Sequence, residues 1–192
     1  MMETPPVTYR AVGLAGSLRR GSFNKALLRA AQELASDRLR IEIHDLARIP
    51  LYNQDVENER VPDGVTALRE AVRGADGLLI ATPEYNHGVP GVLKNTIDWL
   101  SRPPRASALN GKPAAILGAS PGMTGTARAQ SQLRQAFGFT NTYAMLQPEI
   151  LVARAREKFD EGGRLTDEPT RKYLSSFLES FAAWIEKFSA RP

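Results

Sequence analysis

Residues 15–24 read A-G-S-L-R-R-G-S-F-N, and their types suit one task, gripping a phosphate. Ser17 and Ser22 offer hydroxyls, and Asn24 offers an amide. Arg19 and Arg20 offer permanent charge in a planar fork that matches phosphate oxygens. Gly16 and Gly21 let the backbone turn where a Cβ would clash. A helical pattern starts near Ser22, so free N–H groups and the positive end of the helix dipole face the turn. Neither a Walker Gly-Lys-Ser/Thr nor G-x-G-x-x-G is present. A Ser/Arg/Asn-rich turn suits a single terminal phosphate, such as that of a mononucleotide. The alternative is a polar connector between strand and helix.

The hydrophobic pattern supplies the frame for this turn. Apolar runs predict strands over 7–14, 39–46, 77–82, 113–118 and 143–146, the last with an optional continuation over 149–152. Helical spacing predicts helices over 22–36, 64–73, 91–101, 126–137 and 166–188. The last helix should carry a core stripe of Tyr173, Phe177, Leu178, Phe181, Ile185 and Phe188, with Pro169 in its first turn. Residues 1–6 read as a loose tail. Proline and asparagine mark 47–63 as a long loop. Strand and helix alternate throughout, which predicts one domain with a parallel sheet covered on both faces.

The chain has 192 residues, 42% of them apolar, enough to bury a substantial core. No apolar run approaches a membrane span, and no signal-peptide pattern opens the chain. Cysteine is absent, which excludes disulfides and thiol catalysis and suits a reducing cytoplasm. Net charge is +4, and 19 of the 25 basic side chains are arginines. Such a surface attracts anionic small molecules. The basic residues are scattered rather than striped, which argues against nucleic acid. No His/Asp/Glu cluster has metal-ligand spacing, so no metal is expected.

In an open parallel sheet, ligands bind outside the carboxyl ends of the strands. Three loops there carry unusual residues: 16–24, then 83–90 (P-E-Y-N-H-G-V-P), then 119–125 (A-S-P-G-M-T-G). Together they predict a composite pocket with one end for phosphate and two walls for something flat. Gly88, Gly91, Gly122 and Gly125 would permit a planar ring to approach the backbone.

The motifs G-S-L-R-R-G-S-F-N and P-E-Y-N-H-G-V-P-G-V-L-K-N-x-I-D-W-L, followed by G-K-P and a Gly/Ser loop, resemble the NADPH-dependent FMN reductase family. The nearest branch is the soluble quinone, chromate and azo-dye reductases. The resemblance implies a flavodoxin-like α/β three-layer sandwich, a five-stranded parallel sheet in order 2-1-3-4-5, bound FMN, and a homodimer or homotetramer. Carried over by position, Ser17, Arg19, Ser22, Phe23 and Asn24 would surround the FMN phosphate. Pro83, Glu84, Tyr85 and Asn86 would run along the isoalloxazine ring. Ser120 and Gly122 would close the other side.

Other residues have plainer readings. His87 would line the pocket mouth and orient substrate. His44 reads as structural, and Trp99 as packing. Glu84 reads as positional, because flavin chemistry needs no protein base for hydride transfer. Residues 154–158 read as a solvated surface segment. The resemblance places Arg128 and Glu149 in charged contacts between chains.

The activity expected is transfer of hydride from NADPH or NADH to FMN, and then of electrons to a quinone, azo compound, metal oxyanion or free flavin in the same site. Two alternatives stay open. One is a reductase that uses FMN as a loosely held substrate. The other is a flavodoxin-type electron carrier with no enzyme activity. A non-catalytic nucleotide-binding regulator is a third, more distant class.

Overall fold

Alternation of period two decides the architecture. In β3 (Gly77–Ala81), Leu78 and Ile80 face one core while Leu79 and Ala81 face another, and all four are buried. β4 (Pro113–Ala119) repeats this with Ala114 and Ile116 against Ala115 and Leu117. Strands buried on both faces must lie in the middle of three layers. The computed structural model describes residues 7–189; the tail expected over 1–6 lies outside the described residues.

β1 (Tyr9–Ala15) sits between β2 (Leu39–His44) and β3, and β4 follows, every pairing being parallel. α1 (Phe23–Leu34) and α6 (Glu168–Glu186) cover one face, with Leu27, Leu28, Phe177, Phe181 and Ile185 inside. α3 (Asp63–Gly74), α4 (Gly91–Leu100) and α5 (Ala127–Thr140) cover the other, with Val72, Leu93, Ile97, Leu133 and Phe137 inside. Each such large apolar side chain contributes about 1.5–3 kcal/mol by leaving water. A Cβ at Gly77 would lie 2.6 Å from Ile185 Cδ1, so α6 reaches the sheet only over bare backbone there.

Three expectations need correction. The loop expected over 47–63 contains α2 (Gln54–Glu59). Its loop-like Asn53 is a helix cap, whose side chain accepts from the Asp55 N–H at 2.9 Å. The fifth strand is two strands in one lane beside β4: β5 (Tyr143–Ala144) and β6 (Ile150–Val152). The sheet order is thus β2-β1-β3-β4-β5, with β6 also on β4. Pro148, which has no N–H for a ladder, lies in the break between them. Finally, Tyr173 and Phe188 do not belong to the core stripe of α6; they are 49% and 43% exposed, and Leu174 and Ala182 are buried instead. Trp99 is fully buried, as its packing role requires.

Candidate functional site

The chain leaves β1 and reverses into α1 through the serine- and arginine-bearing turn. Ser22 caps α1: its Oγ accepts from the N–H groups of Asn24 and Lys25 at 3.2 and 3.3 Å. That fixes where the positive end of the helix points. Arg19 donates from Nη2 to the Gly21 carbonyl at 2.8 Å and has no ion pair among the described residues. Asn24 is buried and its amide is bonded through both its nitrogen and its oxygen. Nδ2 donates to the Ala119 carbonyl, and Oδ1 accepts from the Ala119 N–H, both at 2.9 Å. Asn24 therefore joins the start of α1 to the end of β4.

The loop after β3 is a tight hairpin rather than a plain loop. Tyr85 N–H donates to the Gly88 carbonyl at 3.1 Å, and Gly88 N–H to the Tyr85 carbonyl at 2.9 Å. Asn86 and His87 take the two central positions with φ of +50° and +61°. That double positive φ matches the twist of a two-residue hairpin. His87 is exposed at its tip. Glu84 turns its carboxylate onto the start of α5, accepting from the N–H groups of Arg128 (2.9 Å) and Ala129 (3.2 Å). The Arg128 guanidinium pairs with it at 3.4 Å. Glu84 therefore stabilises a helix N-terminus, and what it can offer a ligand is its main chain. Glu149 pairs within the chain too, with Arg134 at 3.0 Å.

The loop after β4 is held from outside. Ser120 N–H donates to the Val152 carbonyl, Ala155 N–H to the Ser120 carbonyl, and Arg154 N–H to the Gly122 carbonyl, at 2.9, 3.0 and 3.0 Å. Within 154–158, Arg154, Arg156 and Glu157 are exposed as a surface segment should be, but Ala155 is fully buried and anchors Arg156 at the lining of the cleft. Gly125 has φ +54°, and a Cβ there would lie 2.4 Å from the Leu151 main chain. It serves contact with β6 rather than a ligand. Gly88 likewise faces Gln132, whose Oε1 would lie 2.9 Å from a Cβ.

Ser17, Arg19, Ser22, Phe23, Asn24, Pro83, Glu84, Tyr85 and Ser120 line one cleft of about 680 Å³. Asn86 and Gly122 lie outside its lining, and Gly21, Ala119, Pro121 and Arg156 complete it. Arg156 escaped the sequence reading because it stands in a charged run. The signal was Ala155, one small apolar residue between two arginines just after a strand. The cleft suits a mononucleotide. Arg19 and Arg156 are free of carboxylates at one end, and the only acidic lining residue has its charge answered by α5. From the facing wall Tyr85, half exposed, brings its hydroxyl 3.5 Å from Ser17 Oγ in the turn.

A parallel sheet in this order, flanked by helices, with a serine- and arginine-bearing turn and a mononucleotide-sized cleft at its switch point, defines the flavodoxin-like class. Within that class, the chain belongs to the NADPH-dependent FMN reductase family, whose family model matches residues 9–157. It is 46% identical to an NAD(P)H-dependent FMN reductase of Pseudomonas aeruginosa, over 93% of this chain and 96% of that one. It is 44% identical to a 2-hydroxy-1,4-benzoquinone reductase of a Burkholderia species, over 90% and 93% of the two chains. Among solved structures, the flavoenzyme NAD(P)H:(acceptor) oxidoreductase FerB of Paracoccus denitrificans superposes with a TM-score of 0.87 at 37% identity. That match covers 94% of this chain and 98% of FerB.

Proposed function

We infer that this chain is an FMN-dependent NAD(P)H oxidoreductase that delivers electrons to quinones and to other small acceptors, among them azo compounds, metal oxyanions and free flavin. The observation that carries this is the single cleft that joins the Ser22-capped turn to the Pro83–Tyr85 wall, in a chain of this family. When bound, FMN supplies acceptance of hydride and its onward delivery. The protein supplies grip and shape. Arg19, Arg156 and the first turn of α1 would hold the phosphate. The main chain of Pro83, Glu84 and Tyr85 would meet the polar edge of the ring. Nicotinamide and acceptor would use the same open face in turn, past His87, which predicts ping-pong kinetics.

The test is a visible spectrum of the purified protein, before and after each reduced nicotinamide under anaerobic conditions. A yellow protein that bleaches is expected; a colourless protein that binds no added FMN overturns the reading. Colour retained through gel filtration separates a bound cofactor from a loosely held substrate. Quinone-dependent NAD(P)H oxidation by the protein alone separates an enzyme from an electron carrier.

The Arg19 guanidinium stands at the phosphate end with no carboxylate to leave. Arg19→Ala is expected to weaken FMN by roughly tenfold to a hundredfold, the worth of one charge-assisted bond of about 1.5–3 kcal/mol. Titration of the flavin-free protein reads this directly.

We place the enzyme in the cytoplasm, to which its lack of cysteine is suited. Among the described residues, no helix is long and apolar enough to cross a membrane. It should work as a homodimer or homotetramer. Leu18, Tyr85 and Met123 are 50%, 51% and 67% exposed on the three loops of the cleft, a suitable seat for a second copy. Light scattering would give the state.

A further inference from the structure

A second cleft, of about 400 Å³, adjoins the first. The two share Gly21, Ser22, Phe23 and Arg156, the phosphate end. The second contains none of Pro83, Glu84 or Tyr85. A ligand that filled both would therefore have to continue through its phosphate, not through its ring.

The lining of the second cleft is charged for such a continuation. Arg20, Arg29 and Arg156 border it, and none of their guanidinium groups makes a hydrogen bond or ion pair among the described residues. Three unanswered guanidinium groups around one cavity repel one another and are relieved by an anion. Its apolar part is Phe23 and Phe159, whose rings are 5.5 Å apart. Its acidic residues are Asp160, whose Oδ1 accepts from the Arg164 N–H at 2.8 Å, and exposed Glu161. Gly163 holds φ +77°, and a Cβ there would approach Arg29 Nη2 to 3.4 Å, so the glycine keeps the arginine side open.

We propose that the flavin site takes flavin adenine dinucleotide as well as FMN, the adenylate half lying in this second cleft. The inference rests on the reading of the first cleft as the FMN site. The second phosphate meets Arg20 and Arg29. The adenine lies along Phe23 and Phe159, and the ribose hydroxyls donate to Asp160 or Glu161. A nicotinamide dinucleotide fits this cleft poorly. It must deliver its reactive end to the flavin ring, and the second cleft does not reach the ring wall.

The test titrates flavin-free protein with FMN, FAD and AMP, followed by flavin fluorescence, in wild type and Arg29→Ala. Arg29 is exposed on α1 and lines the second cleft but not the first, so its loss should leave the fold and FMN binding intact. The expected result is FAD binding by wild type, weakened about tenfold in Arg29→Ala, with FMN affinity changed less than twofold. AMP should compete with FAD and not with FMN. Wild type that binds FMN but not FAD overturns the proposal, as does equal loss of both flavins in the variant. An Arg29→Ala effect confined to the KM for NADPH also overturns it. Failure to bind FMN at all overturns the underlying reading instead.

Discussion

Asn24→Ala is expected to destabilise the fold by about 2–6 kcal/mol and to weaken FMN in the fraction that still folds. The side chain answers both main-chain groups of Ala119 at 2.9 Å, and both residues are 3% exposed. Removing it leaves one N–H and one carbonyl buried without partners, each at about 1–3 kcal/mol. The same two bonds hold the start of α1 to the end of β4, so both walls of the cleft loosen together. For a chain of this size the loss lowers Tm by roughly 5–20 °C. Asn24→Asp sharpens the argument. It keeps the acceptor for the Ala119 N–H but faces the Ala119 carbonyl with a second acceptor. It also sets a negative charge beside the place for a phosphate. Thermal melts with and without FMN check both variants. If Asn24→Ala melts like wild type but loses FMN, the amide serves the ligand directly and its positioning role is wrong.

What the sequence revealed of this site depended on how locally each part is encoded. The turn between β1 and α1, with its Ser22 cap, was legible because Gly16, Ser17, Arg19 and Ser22 fall within seven residues and follow a buried strand. The doubly covered parallel sheet followed from strands such as Leu78–Ile80, which have no polar face, whereas the strand order came only from the family resemblance. Arg156 was not legible. It reaches the cleft only because β6 pairs with β4 and returns the chain to the same edge. The shared role of Asn24 and Ala119 was hidden for a similar reason, since 95 residues separate them. The hairpin at Tyr85–Gly88 was masked by His87, which lacks the usual glycine signal for a positive φ. α2 was masked by its own cap, because Asn53 signals a turn as readily as a helix start.

α2 also carries the feature whose loss the fold should feel most outside the cleft. Glu57 is nearly buried and joins two arginines: Oε1 to Arg69 Nη2 at 2.8 Å, and Oε2 to Arg102 Nε at 3.1 Å. Tyr52 donates its hydroxyl to Oε2 at 3.1 Å. Arg69 also donates from Nε to the Trp99 carbonyl at 3.1 Å, and Trp99 Nε1 donates to the Pro50 carbonyl at 2.8 Å. The segment after β2 is thereby bolted to α3 and α4. Glu57→Ala strands Arg69, whose side chain is 7% exposed, and is expected to destabilise by about 3–5 kcal/mol. Arg69→Met added to Glu57→Ala should restore part of that, because no buried charge is then left unanswered. Burial works against the Glu57 carboxylate, but hydrogen bonds from Arg69, Arg102 and Tyr52 outweigh it and hold its pKa below the ordinary 4.5. A carboxylate lowered in the folded state stabilises fully above its unfolded pKa and loses that as pH falls through the folded one. The Tm gap between wild type and Glu57→Gln should therefore be constant from neutrality to about pH 5 and close below the ordinary glutamate range. A gap that widened on acidification would show that the carboxylate opposes the folded state, and would overturn this account of the cluster.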